Sequence, residues 1–247
     1  MTTQQTSLER LFSGQIGAEY EMLRLICPAS VEMSRRVGAM LAAVDGNAAQ
    51  TRQVLELGCG TGITTLSILA QNPEINLVSI DNEPTMLNQA REHLKTWLEN
   101  GQLTIEEVDA LGALQSRGTA SLDAIVSAYT LHNFLQDYRV QVYPEIFRVL
   151  KPGGVFINGD RYGLDDTLEH TQLIQQEIQS YFDVLMKMNR ADLLEKWIVH
   201  LFSDESPDHV MRLRPALDAF ASAGFEPVEQ RFQDGVNRLL VAHKPLI

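Results

Sequence analysis

Only two cysteines, Cys27 and Cys59, occur in the 247-residue chain, too few for a disulfide framework. Both read as reduced thiols, as in a cytoplasmic protein. Basic residues are scarce: 20 Lys and Arg stand against 32 Asp and Glu, a net charge of −12. A nucleic-acid backbone is therefore not the expected partner, since neutralising phosphates takes an excess of Lys and Arg. No apolar run approaches the roughly 18 residues of a membrane span. The stretch Met1-Thr2-Thr3-Gln4-Gln5-Thr6-Ser7 lacks a basic segment leading into an apolar one, so no secretory signal is expected. There is no internal repeat and no low-complexity segment, and no metal site is expected. What remains, 45% apolar and 21% charged residues, suits one sizeable core with decorations.

The chain is organised around Val54-Leu55-Glu56-Leu57-Gly58-Cys59-Gly60-Thr61-Gly62-Ile63. An apolar strand runs into a glycine-rich turn, and the turn into a helix whose free N–H groups and dipole point at any ligand lying there. No Gly-Lys-Ser/Thr closes the loop, so it is not a phosphate loop. The spacing Gly58, Gly60, Gly62 with Ile63 in place of a further glycine is not the dinucleotide fingerprint either. Glu56, two residues before the first glycine, suits a cationic ligand better than a pyrophosphate. The next apolar run, Ile75 to Ile80, ends in Asp81, where a carboxylate can accept from both hydroxyls of a ribose. The implied ligand has a ribose, an amino or sulfonium cation and no phosphates.

Glu56-Leu57-Gly58-Cys59-Gly60-Thr61-Gly62 followed by Ile80-Asp81-Asn82-Glu83-Pro84-Thr85-Met86-Leu87 resembles the class I S-adenosylmethionine-dependent methyltransferase family. Val108-Asp109-Ala110, the stretch Ser127 to Asn133, and Leu150-Lys151-Pro152-Gly153-Gly154 match in the same order. The resemblance implies an α/β fold: a Rossmann-like seven-stranded sheet in the order 3-2-1-4-5-7-6, mostly parallel with the last strand antiparallel, and helices on both faces. It also implies S-adenosyl-L-methionine as cofactor.

The pattern agrees with alternating strands and helices. Strands are expected at 53–57, 75–80, 103–108, 122–128 and 154–159, and helices at 62–71, 84–99 and 137–150. Pro84 opens one helix and Asn100-Gly101 stops it. Lys151-Pro152-Gly153-Gly154 reads as a tight turn. Two further helices, 166–188 and 191–202, break the alternation, and their apolar face of Tyr181, Phe182, Leu185, Met186 and Met188 suits a substrate lid or a homodimer interface. A helix at 214–223 and two strands, 225–232 and 236–244, close the chain. One domain is expected over 1–247: an N-terminal helical lid to 48, a cofactor-binding core over 49–160, the helical insertion over 161–214, and the closing helix and hairpin over 215–247.

By resemblance, the cofactor is contacted by Tyr20, Glu56, Gly58, Cys59, Gly60, Asp81, Asn82, Met86, Asp109, Ala110 and Tyr129. The adenine amino group falls to Asp109 and the ring to the Ala110 N–H. The acceptor cleft falls to Asn133, Asp160, Arg161 and Tyr162, with His132 as candidate general base. Met86 also reads as core, Asp109 as a helix cap, and Tyr20 as packing. The activity implied is methyl transfer to a small-molecule acceptor. The whole-chain pattern is also similar to the carboxy-S-adenosylmethionine synthase family, which builds a carboxymethyl group on the cofactor from prephenate. The arginine that chemistry needs in the inserted helices falls near Leu194, and Arg190 is out of register. A binding protein without catalysis is the third reading.

Overall fold

The computed structural model describes residues 28–44 and 51–246. Tyr20 and the parts of the N-terminal helical lid before Pro28 and after Val44 lie outside the described residues. In chain order the elements are α1 (Pro28–Ala43), β1 (Arg52–Leu57), α2 (Ile63–Gln71), β2 (Ile75–Asp81), α3 (Pro84–His93), α4 (Lys95–Glu99), β3 (Leu103–Glu107), α5 (Ala110–Gln115) and β4 (Leu122–Ala128). A 3-10 turn over Leu131–Asn133 leads to α6 (Gln136–Val149), β5 (Leu150–Arg161), α7 (Thr167–Lys187), α8 (Ala191–Asp204), α9 (Leu213–Ala223), β6 (Val228–Asp234) and β7 (Asn237–His243).

The strands form one sheet in the order β3-β2-β1-β4-β5-β7-β6. β1 to β5 pair in parallel, and β7 runs antiparallel to both β5 and β6. Successive strand residues point to opposite faces, so neighbours divide between two cores. Val54, Ala124 and Ile157 join α1 and α2 on one face. Leu55, Ile125 and Phe156 join α6 and α9 on the other. Burial on both faces explains why these strands read as continuous apolar runs. The switch in strand order falls between β1 and β4, where open α/β sheets bind ligands beyond the carboxyl ends of their strands.

Three local differences from the sequence reading have physical causes. The helix expected over 84–99 breaks at Leu94, which leaves helical geometry (φ −106°, ψ 18°) and buries its side chain completely beneath the glycine loop. Residues 150–153 belong to a strand rather than a free turn, with a register shift against β4 between Leu122 and Ala124. A short helix, α5, follows β3 because Asp109 caps it, accepting from the Gly112 N–H at 3.0 Å. In the insertion, Tyr181 and Leu185 pack against Leu194 and Leu201 of α8, while Phe182, Met186 and Met188 stay exposed.

Helix α1 is seated closely on α2. A Cβ added at Gly38 would lie 2.5 Å from the Ser67 backbone oxygen, which cannot swing aside. Gly38→Ala gains up to about 1 kcal/mol of helix propensity but incurs about 1–3 kcal/mol of overpacking. A net loss is expected, read as a lower urea midpoint at unchanged slope. An unchanged or raised midpoint would mean that α1 is not held against α2 this closely.

Candidate functional site

A cavity of about 840 Å³ opens at the carboxyl ends of β1, β2 and β4. Its size is at the upper end for small-molecule sites, about 300–1,000 Å³. One end is floored by the glycine loop. Gly58 adopts φ +70°, and a Cβ there would overlap the Thr130 side chain, so the backbone is bare by necessity. Gly62 caps α2 without any side-chain hydrogen bond, leaving first-turn N–H groups for a ligand. Asp81 ends β2, its Oδ2 accepting from the Gly60 N–H at 2.8 Å and its Oδ1 from the Glu83 N–H at 3.0 Å. Each oxygen keeps a second lone pair for a diol.

Asp109 accepts from the Gly112 N–H and, at 2.7 Å, from the Tyr138 hydroxyl, both at Oδ1. These two bonds, the first foremost, hold its carboxyl below the usual range. Burial and the Asp109 contact push the Tyr138 hydroxyl up to about 12, so it stays a donor. Gly58, Cys59, Gly60, Asp81, Asn82, Met86, Asp109, Ala110 and Tyr129 all line this cavity. Burial drives the Cys59 thiol well above its ordinary value, which makes it an inert wall residue.

Glu56 does not line the cavity. It is fully buried behind the loop, where one carboxylate oxygen accepts from Thr65 on α2 and Ser79 on β2, each at 2.6 Å. It braces the loop from behind rather than from the cavity wall.

The other end of the cavity is built by β4, β5 and the insertion. Tyr129 follows β4 in a left-handed conformation (φ +51°), a strain of about 1–3 kcal/mol for a non-glycine residue. Its hydroxyl donates to Asn237 at 2.7 Å, and its carbonyl accepts from the Asn133 amide at 3.2 Å. His132 and Asn133 both reach the cavity wall.

Along β5 the alternation of side chains separates three residues expected together. Arg161 faces the cavity, whereas Asp160 and Tyr162 point to the opposite face and are fully buried. The Tyr162 hydroxyl accepts from Asn158 at 2.6 Å within the core, so it is not an acceptor-cleft residue. Asp160 acts through His132 instead. Its Oδ1 lies 2.5 Å from His132 Nδ1 and accepts from the Arg161 N–H, while Oδ2 accepts from the Leu131 N–H. A carboxylate only accepts, so Nδ1 carries a proton, and in the neutral imidazole Nε2 presents its lone pair to the cavity.

Arg161 is the one Lys or Arg on the cavity wall among the described residues, and it is already engaged. It forms a bidentate pair with Glu177 at 2.8 and 3.0 Å and reaches Glu205 at 3.3 Å. Burial alone would lower the pKa of its guanidinium, yet the pair with Glu177 outweighs this and raises it, so the group stays charged. Burial likewise favours the neutral form of Glu177, but Arg161 holds its carboxyl below the usual range. Glu205 also lies 2.6 Å from His170 Nε2. This network ties the insertion to β5.

Residues of the insertion that the sequence does not assign also reach the wall, among them Tyr181, Trp197, His200 and Asp204. The last pair stands four residues apart on one face of α8, a spacing that brings side chains together on a helix. Asp204 Oδ2 lies 3.6 Å from His200 Nε2 and 4.0 Å from His132 Nε2. Tyr181 and Trp197 face each other with ring centroids 6.0 Å apart. The site thus has a bare-backbone end for a nucleoside and an aromatic end with two imidazoles and a carboxylate.

Known proteins bear on this geometry. A family model for a methyltransferase domain matches residues 54–154. The chain is similar to a carboxy-S-adenosyl-L-methionine synthase of Actinobacillus succinogenes, 24% identical over 188 residues that cover 73% of this chain and 72% of the relative. It is 31% identical over 148 residues to a demethylmenaquinone methyltransferase of Deinococcus radiodurans, covering 60% of this chain and 57% of that protein. An O-methyltransferase family protein from Burkholderia thailandensis superimposes with a TM-score of 0.61 at 16% identity, covering 96% of this chain and 62% of that one. The described cavity fits the nucleoside cofactor implied by the motifs: bare backbone at Gly58 and Gly60, a carboxylate at Asp81, and a capped carboxylate at Asp109. The motif order, the sheet order and the methyltransferase-domain match over residues 54–154 support the class I S-adenosylmethionine-dependent methyltransferase family, with S-adenosylmethionine as the cofactor.

Proposed function

We propose that the protein transfers a methyl group to a small, flat, uncharged acceptor that carries an ionisable O–H or N–H. One observation carries this reading: His132, with Nδ1 held by Asp160, presents Nε2 in the same cavity as the glycine loop. S-adenosylmethionine, when bound, would supply the sulfonium methyl group and the driving force, its sulfur leaving with the bonding pair as the acceptor oxygen or nitrogen takes the methyl carbon. The protein's work is to place the acceptor and exclude water. Tyr129, Tyr181 and Trp197 offer flat apolar surface. The acceptor's proton leaves at the corner where His132 Nε2 faces Asp204 and His200.

Synthesis of carboxy-S-adenosylmethionine is the second reading, supported by the similarity to such synthases. The residues weigh against it. An anionic co-substrate needs a cation, and Arg161 is neutralised by Glu177 and Glu205. Leu194 is buried in the insertion's own small core. Arg190 pairs with Asp192 at 2.9 Å and does not line the cavity.

The test is to incubate the protein with S-adenosylmethionine labelled at the methyl group and a panel of phenols, catechols, hydroxamates and aryl amines. Label on a neutral acceptor, matched by S-adenosylhomocysteine, is expected. Carboxy-S-adenosylmethionine formed from added prephenate, with no label on any acceptor, would replace the first reading by the second. Among the described residues no helix is long and apolar enough to cross a membrane.

A further inference from the structure

The acceptor end of the cavity holds a side-chain set that methyl transfer alone does not require. His132 Nε2, His200 Nε2 and an Asp204 carboxylate oxygen all lie within 4.8 Å of one another. We propose that His132, His200 and Asp204 form a binding site for a first-row divalent cation, with zinc the best match to two imidazoles and one carboxylate. The proposal rests on the reading that this corner receives the acceptor.

Four features point to a cation. Asp204 is only 9% exposed, and the two imidazole nitrogens nearest it, at 3.6 and 4.0 Å, stand beyond hydrogen-bond distance. The Asp204 carboxylate faces the cavity, and a cation between the three groups would satisfy all of them. Second, Asp160 fixes the His132 tautomer with Nε2 as the lone-pair nitrogen, the carboxylate–histidine arrangement that orients metal-bound imidazoles. Third, three protein ligands beside an open cavity leave a coordination position for a substrate atom, as in catalytic rather than structural sites. Fourth, the distances are close to what is needed. Ligand atoms about 2.0–2.1 Å from a tetrahedral metal stand about 3.3–3.4 Å apart. The His200 side chain is half exposed (51%), so its ring can move towards the other two ligands, while His132 and Asp204, 4.0 Å apart, need to approach by about 0.6 Å.

A cation here would lower the pKa of an acceptor hydroxyl or amine bound at its open position. His132 would then act on the acceptor as a ligand of the metal. Two imidazoles and one carboxylate leave a divalent site with one net positive charge, which suits an acceptor that binds as its conjugate base.

The experiment uses tag-free full-length protein treated with a chelator and titrated with cobalt(II), followed by visible absorption. The expected result is one equivalent bound with the visible bands of a low-coordinate site. His200→Ala and Asp204→Asn should each weaken binding by at least about tenfold, and Asp160→Asn by about 10–100-fold. Calorimetry with S-adenosylmethionine on the same samples monitors the other end of the cavity, and its affinity should hold within about threefold. His200 is half exposed, so its variant carries the test even if Asp204→Asn folds poorly. Cobalt that fails to bind at one equivalent, or binds equally to wild type and His200→Ala, would overturn the proposal. The methyltransferase reading would survive that result as long as S-adenosylmethionine binds, and would fall on its own if it does not.

Discussion

His132→Ala is expected to slow methyl transfer by about 10²–10⁴-fold, the range lost with a positioned proton-transfer group. That corresponds to about 3–5 kcal/mol of transition-state stabilisation. Affinity for S-adenosylmethionine should stay within a few-fold, because the loop glycines, Asp81 and Asp109 lie at or just beyond the carboxyl ends of β1, β2 and β3 and do not depend on this imidazole. The expected signature is a fall in kcat with little change in KM for the cofactor. Asp160→Asn should cost less, about 10–100-fold. Its amide oxygen can still take the Leu131 N–H, but the grip on Nδ1 is lost. A positioning role makes a distinctive claim: the imidazole should shift towards the Nε2-protonated tautomer, read from its ring nitrogen chemical shifts. Full activity in His132→Ala would remove this corner from the reaction.

The core of this fold was legible because it is built from strong local signals. Apolar runs ending in Gly58 and Asp81 mark strand, turn and helix in one pass, and the structure places strands at 52–57 and 75–81. β4 falls on 122–128, the expected range. What the sequence concealed is side-chain direction. Asp160, Arg161 and Tyr162 are adjacent in the chain, and only the pleat assigns Arg161 to the cavity and its neighbours to the opposite face. Glu56 looked like a ligand because it neighbours the loop, yet the hydroxyls of Thr65 and Ser79 turn it inward. Leu94 gave no sign of breaking its helix, since the break depends on the space beneath Gly62 rather than on propensity. His200 and Asp204 were hidden for a different reason. Their spacing puts them on one face of α8, but it does not say that this face meets His132 some seventy residues earlier in the chain.

Glu56 gives the fold an expected dependence on pH. Its carboxyl is pushed up from 4.5 to about 7, first by burial and then by the nearby charge of Asp81, against the pull of hydrogen bonds from Ser79 and Thr65. The second carboxylate oxygen is buried without a hydrogen-bond partner. An acid whose folded pKa exceeds its unfolded value binds protons more tightly when folded. The resulting stability is fully present below pH 4.5 and is lost as pH rises to about 7. Over that window, at about 1.4 kcal/mol per pH unit of pKa difference, the loss is about 3 kcal/mol. Glu56→Gln keeps an oxygen for Thr65 and Ser79 but cannot ionise. Its buried NH₂ group is left to find a partner, which makes the variant less stable than wild type by about 1–3 kcal/mol in acid. Above pH 7 the ionised wild-type carboxylate carries a burial cost that the amide avoids. The stability difference between the two proteins should therefore move by about 3 kcal/mol in favour of Gln between pH 4.5 and 8, measured by urea unfolding at each pH. Other titrating groups are common to both proteins and cancel in that difference. A constant difference across the range would show that Glu56 ionises as readily inside the fold as outside it, and that Thr65 and Ser79 stabilise its charge as well as water does.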